Sequence, residues 1–232
     1  MLAQMRKFLS PAAKEKILDS WPYRLLNRIQ MHKYKQVARL SCELTTRCNA
    51  KCIMCTRDSL VKNGRLSITD MDQGLIECII QEIKKFHQSG KSIYFVPMGL
   101  GEPLLFKGLF DLFSKLKHIS SKIHLVLVTN GILLDEQCCE KVIALGVEEV
   151  NISLNDSNAS DYIQHMGADA YDKVYHNIEA LINMRNQSGK RLPSVFVQYL
   201  NFKNNQGLFL KDIKHWRKLM RYGDKCYIHP IV

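Results

Sequence analysis

Apolar residues recur along the chain in short strand-like runs, at 38–44, 93–98, 123–128, 150–154, 195–200 and 226–232. Between them lie helical patterns over 69–88, 107–119, 135–145, 158–187 and 208–222. In the first of these, Ile76, Ile79, Ile80 and Ile83 form one amphipathic stripe. Thr69-Asp70 and Asp135 supply helix start signals. Six strands alternating with five helices predict an α/β fold of parallel strands joined by right-handed crossovers. Six strands are too few to close the eight-stranded barrel, which leaves an open partial (β/α)6 TIM-like barrel or a doubly wound sheet. Either topology puts chemistry at the carboxyl ends of the strands.

Ahead of this rhythm, residues 1–37 read as a short helical N-terminal arm, so residues 38–232 form the core domain. Ser10-Pro11 opens one helix, Trp21-Pro22 interrupts, and Leu25, Leu26 and Ile29 mark a second. The net charge is +11, of which residues 1–39 carry +7 and the remainder only +4. The basicity thus belongs to the arm and reads as a solvated helical face, so nucleic acid is not an expected partner. An RNA-modifying enzyme that lays the arm on phosphates is the alternative. A composition of 46% hydrophobic and 24% charged residues excludes a disordered or collagen-like chain. No apolar run approaches the ~18–20 residues of a membrane span. Nor do the first residues hold a secretory apolar core, so a cytoplasmic location is expected.

Eight cysteines in a reducing compartment are thiols rather than disulfides. Five are scattered, but Cys48, Cys52 and Cys55 fall in one polar stretch after the first strand, Glu43-Leu44-Thr45-Thr46-Arg47-Cys48-Asn49-Ala50-Lys51-Cys52-Ile53-Met54-Cys55. Three thiolates from one loop can hold an iron–sulfur cubane with one iron left open, or a zinc ion with Cys42 recruited as fourth ligand. Cys42 lies inside the expected strand, poorly placed for that. Other strand ends are polar too. The second closes with Gly99-Leu100-Gly101-Glu102-Pro103, where glycines admit close backbone approach and Glu102 suits an ammonium group. Thr129-Asn130-Gly131 ends the third, and alternation puts Asn151, Ser153 and Asn155 on one face of the fourth. On the fifth, Gln198 offers an amide, with Asn204 and Asn205 shortly after it.

The Cys48, Cys52, Cys55 spacing directly after a first strand resembles the signature of the radical S-adenosylmethionine (radical SAM) superfamily. The stretch ELTTRCNAKCIMC is similar to its SPASM or twitch branch. The resemblance implies that the three cysteines hold a 4Fe–4S cluster and that SAM caps the open iron. It further implies reductive cleavage to a 5′-deoxyadenosyl radical that abstracts a substrate hydrogen. Gly99, Gly101 and Glu102 match the family's GGE motif, implying contacts to the methionyl amine. Ser153 first and Asn155 second are implied for the ribose or carboxylate, Met54 sits where relatives approach adenine, and Asn130 and Gln198 face SAM or substrate. An external electron donor of flavodoxin or ferredoxin type and a peptide or sugar-type substrate are implied as partners. No side chain is assigned to hydrogen abstraction. Relatives with the SPASM or twitch extension carry further cysteines after the sixth strand, whereas this sequence ends at His229-Pro230-Ile231-Val232. The sequence is thus expected to be either a truncated or cropped core or a compact enzyme whose barrel a partner domain or chain closes.

Other candidates are weaker. Adjacent Cys138 and Cys139 read as small packing residues, and the histidines show no HExxH. No P-loop or GxGxxG is present. Lys62-Asn63-Gly64-Arg65 reads as a loop over the cluster, with Lys51, Arg57 and Arg65 facing anionic ligands. A non-catalytic metal-binding scaffold is the competing reading of the whole.

Overall fold

The computed structural model describes residues 37–202 and 209–230. The expected arm at 1–37 therefore lies outside the described residues but for Val37, as do Asn204 and Asn205. The strands are β1 (Val37–Cys42), β2 (Ser92–Pro97), β3 (Ile123–Thr129), β4 (Glu149–Asn155), β5 (Ser194–Asn201) and β6 (Lys225–Pro230). The helices are α1 (Arg57–Lys62), α2 (Gln73–Gln88), α3 (Leu109–Ile119), α4 (Glu136–Ala144), α5 (Ala159–Met166), α6 (Tyr171–Gln187) and α7 (Phe209–Leu219). Every neighbouring strand pair is parallel, and strand order follows the chain from β1 to β6. A doubly wound sheet reverses its order midway, and this one does not. The architecture is the open partial (β/α)6 barrel.

Alternation decides the two faces of the sheet. Phe95, Leu125, Leu127, Val150, Ile152, Val195 and Val197 are fully buried and share one core with the helices. Against them pack Ile76, Ile80 and Ile83 of α2, Leu112, Phe113 and Leu116 of α3, and Val174, Ile178 and Leu181 of α6. The opposite, concave face carries half-buried Tyr94, His124, Asn151, Ser153, Gln198 and Tyr227. Tyr94 stacks on His124 with ring centroids 4.6 Å apart, and the Tyr227 hydroxyl donates to Asn151 Oδ1 at 3.4 Å. Closed barrels fill this side with branched aliphatic residues. Here it is largely polar and aromatic.

Three local expectations are corrected. α2 starts at Gln73 rather than 69, capped by Asp72, whose carboxylate accepts from Gly74 N. Asp70 instead accepts from Thr45 Oγ1 at 2.6 Å, in an antiparallel bridge between the two residues. The single helix over 158–187 is two, because α5 ends at Gly167, in the left-handed region at φ +61°. A Cβ there would press on the Lys51 carbonyl, so glycine permits both the turn and the contact. Third, residues 57–62 form α1, and Arg57 faces inward rather than toward a ligand. Its side chain is buried, donating to the Thr46 carbonyl at 2.6 Å and pairing with Asp58. Asp135 does open α4, accepting from Cys138 N at 2.9 Å.

A buried ion pair joins α6 to the last two strands. Arg185 meets Asp224 at 2.6 Å with both side chains essentially inaccessible. Arg185 also donates to the Pro193 carbonyl, and Asp224 accepts from Val195 N and Arg221 N. Removing one partner strands the other charge in the core. Asp224→Ala is therefore expected to destabilise the domain by about 3–5 kcal/mol, read as a fall in the urea unfolding midpoint.

Candidate active site

The loop after β1 is tied down on three sides. Thr46 N donates to the Thr69 carbonyl and Met71 N to the Leu44 carbonyl, which fixes its start. Arg47 grips Asp70 at 2.6 Å and donates to the Leu105 carbonyl at 2.8 Å. These donors hold the Asp70 carboxyl below its ordinary range, the Thr45 hydroxyl most strongly. On the third side the last turn of α5 leaves carbonyls with no helical partner. Lys51 N takes that of Met166 at 3.0 Å, and Ile53 N takes that of His165 at 2.9 Å.

So held, the loop brings its thiols to a cavity at the carboxyl ends of β1 to β4. Cys48, Cys52, Cys55 and Met54 line it from the loop, Gly99, Gly101 and Glu102 from the end of β2, Asn130 from β3, and Ser153 and Asn155 from β4. Ten of the sequence candidates thus share one cavity. Gln198 is the exception: it pairs in register with Ser153 across β4 and β5 but does not line this space. Met54 is substantially exposed at the rim.

Two carboxylates shape the walls. Glu102 is only 3% exposed, yet its Oε1 accepts from Thr129 Oγ1 at 2.7 Å and Leu104 N at 3.1 Å, and its Oε2 from Asn130 N at 2.8 Å. Its own N–H goes to the Arg47 carbonyl at 2.7 Å. Burial pushes its carboxyl above the ordinary range and the three donors pull it back. Geometry makes this side chain a brace between strand ends, beyond the ammonium acceptor that sequence suggested. Glu43, to which sequence reading gave no role, accepts from Leu100 N and from Gly101 N at 3.1 Å through one oxygen. Its position directly after an apolar strand was the available signal. A Cβ at Gly101 would overlap the Thr45 carbonyl and one at Gly99 would overlap the Glu43 carboxylate. Both glycines are required for this packing, whatever they touch from the cavity side.

At β4 the strict alternation breaks. A register shift falls between Ser153 and Asn155, and Asn155 adopts φ +66°, rare for a residue with a side chain. Its Nδ2 contacts Met166 Sδ at 3.2 Å, while its Oδ1 is buried without a hydrogen-bond partner. His165 and Asp156 were also missed by sequence reading. They meet at 2.9 Å in the interior, and the His165 ring stacks on Phe202. This pair stiffens the helix end on which the loop rests.

The thiols fit a cluster better than a single ion. All eight cysteines are free. Burial raises the Cys48 thiol, and burial together with the neighbouring Cys48 and Cys55 pushes that of Cys52 up to about 12. All three thiols line the one cavity. Yet among the described residues no three His, Cys, Asp or Glu side chains converge tightly enough to hold one metal ion. A tetrahedral zinc site demands that convergence, whereas a cubane offers a separate iron to each thiolate. Cys42 packs against the core and does not line the cavity, so it is no fourth ligand. Asn155 lines the same cavity, and its Oδ1 is buried with no hydrogen-bond partner.

Fold and site together define a barrel-derived enzyme class, and comparison with known proteins specifies it. The model of the radical SAM superfamily matches residues 42–190, more than half of the chain, and the chain belongs to that superfamily. Its members use a 4Fe–4S cluster and SAM. The chain is 28% identical over 163 residues to the tungsten-containing aldehyde ferredoxin oxidoreductase cofactor-modifying protein of Pyrococcus furiosus, covering 70% of this chain and 43% of that protein. It is 31% identical over 150 residues to a probable GTP 3′,8-cyclase of Methanococcus vannielii, covering 64% and 46%. Among solved structures, Streptococcus suis SuiB bound to precursor peptide SuiA superposes with a TM-score of 0.62 at 15% identity, covering 92% of this chain and 46% of that one. The structure of anSMEcpe with bound AdoMet gives 0.61 at 20% identity, covering 84% and 52%. These two show the shared fold. The chain spans less than half the length of these two curated relatives.

Because all three partners of the Glu102 carboxylate are donors, an amide in its place must turn its NH2 toward one of them. Glu102→Gln is expected to cost about 1–3 kcal/mol, seen as a lower thermal midpoint, while leaving the far β5–β6 core unchanged in hydrogen exchange.

Proposed function

We propose that the chain is the catalytic core of a radical SAM enzyme that cleaves SAM reductively and abstracts hydrogen from a peptide or sugar-type substrate. The observation that supports it best is the single cavity lined by three loop thiols, a buried unpartnered amide oxygen and the polar ends of β2 to β4. In this reading Cys48, Cys52 and Cys55 hold the cluster. When bound, the cluster and SAM supply the electron transfer and the 5′-deoxyadenosyl radical.

The protein's own share is binding, orientation and exclusion of side reactions. Glu43 and Glu102 hold the Gly99–Glu102 turn against the loop, so its backbone is presented rigidly where the methionyl amine would lie. Asn155 Oδ1 accepts from a donor of SAM, and Ser153, two residues earlier on β4, reaches the ribose or carboxylate from the concave face. Met54 covers the adenine at the rim with a polarisable side chain. Gln198, beside Ser153 but outside the cavity, serves the substrate side of the concave face. The amides, hydroxyls and aromatic rings of that face suit a polar substrate such as a peptide or a sugar. SuiB, solved with a precursor peptide, has the same fold. The electron comes from a flavodoxin or ferredoxin type donor, and a partner domain or chain closes the barrel. A cytoplasmic setting is consistent with eight free thiols. Among the described residues no helix is long and apolar enough to cross a membrane.

Anaerobic reconstitution with iron and sulfide, followed by SAM and dithionite, is expected to give a brown protein that releases 5′-deoxyadenosine. A fully loaded protein that releases none overturns the enzyme reading, and a colourless zinc protein overturns the cluster. Cys52→Ala is expected to abolish both colour and cleavage. Cys138→Ala, buried in α4 and outside the cavity, is expected to retain both.

A further inference from the structure

Asn130 is tied to its surroundings more tightly than a residue merely lining a ligand cavity needs to be. It is 8% exposed and its backbone N–H is held by Glu102 Oε2 at 2.8 Å. Its side-chain Oδ1 accepts from Ile132 N at 3.0 Å. That bond assigns the amide orientation, since a flipped side chain would set NH2 against N–H. The NH2 group is thereby forced toward the cysteine loop. Nδ2 donates to Asn49 Oδ1 at 2.7 Å and stands 3.9 Å from Cys48 Sγ. Among the described residues, Cys48 is the loop sulfur that faces a side-chain amide donor, and that donor comes from the end of a different strand.

We propose that Asn130 is a positioning residue of the cluster, donating to the Cys48 sulfur and setting the potential at which the cluster accepts its electron. The proposal rests on the cluster reading above. A donor facing a ligating sulfur stabilises the more negative, reduced form, so it raises the midpoint. The Glu102 carboxylate fixes the Asn130 backbone by accepting its N–H. A residue that only glued the loop to β3 through Asn49 would leave the potential of a loaded cluster unchanged.

The test compares wild type, Asn130→Leu and Asn130→Asp after anaerobic reconstitution, with iron and sulfide counted first. The midpoint is then read by EPR during a dithionite titration. Asn130→Leu loses the donor. Asn130→Asp keeps the shape but turns an oxygen toward Cys48. Both are expected to move to a more negative midpoint, the aspartate further, with about a tenfold loss in the reduction equilibrium for the leucine, or about 59 mV for one electron. A fully loaded Asn130→Leu with the wild-type midpoint overturns the proposal. Where the variants fail to load, wild-type protein grown with 15N-labelled asparagine decides it. The reduced cluster is expected to show a weak 15N hyperfine coupling, and its absence overturns the proposal. A wild type that holds no iron fails at the counting step, which identifies the cluster reading itself as the fault and removes this inference with it.

Discussion

A carboxylate 3% exposed to solvent is tolerable only if donors saturate it, and Glu102 is saturated by the ends of neighbouring strands. Thr129 and Asn130 come from the end of β3, Leu104 from the turn after β2, and the Glu102 N–H reaches back to the Arg47 carbonyl in the loop after β1. Three segments distant in sequence therefore meet on one residue. Glu43 repeats the device one strand over, where a single oxygen collects the N–H groups of Leu100 and Gly101. With both acids in place the turn after β2 has little freedom. The absence of side chains at Gly99 and Gly101 is what lets the segments close.

The opposite wall is built by other means. There the loop satisfies its N–H groups on the exposed carbonyls of α5, and the interior pair of His165 and Asp156, with Phe202 stacked on the ring, holds that helix end. The cavity between the two walls combines hydrogen-bonded rigidity on the β2–β3 side with packing on the α5 side. Asn155, which lines the cavity, combines a left-handed backbone with a buried oxygen that has no hydrogen-bond partner. In the proposed enzyme, substrate discrimination within this chain falls to the concave face.

Much of this was readable locally. Apolar periodicity located all six strands to within a residue or two, because buried strands must present a hydrophobic side to the helices. The spacing of Cys48, Cys52 and Cys55 marked the candidate thiol loop, and ten of the eleven candidate residues line one cavity. The misses were those where a contact from afar competes with a local signal. Asp70 resembles a helix cap but is taken by Thr45 and Arg47. Arg57 resembles a surface cation but is drawn in by the Thr46 carbonyl. Gly167 sits within a continuous helical pattern and breaks it because the cysteine loop presses against its Cα.

By itself, then, the chain's order of residues determined the α/β class, the number of strands and the identity of the thiol loop, since these follow from periodicity and spacing within a few dozen residues. Tertiary structure alone decided that the sheet runs in sequential order, that Cys42 faces the core, and that Gln198 stands outside the cavity. It also decided that Asn130 turns its amide to Cys48. Each of these depends on which distant group satisfies a buried donor or acceptor, and that partner is chosen only when the strand ends come together.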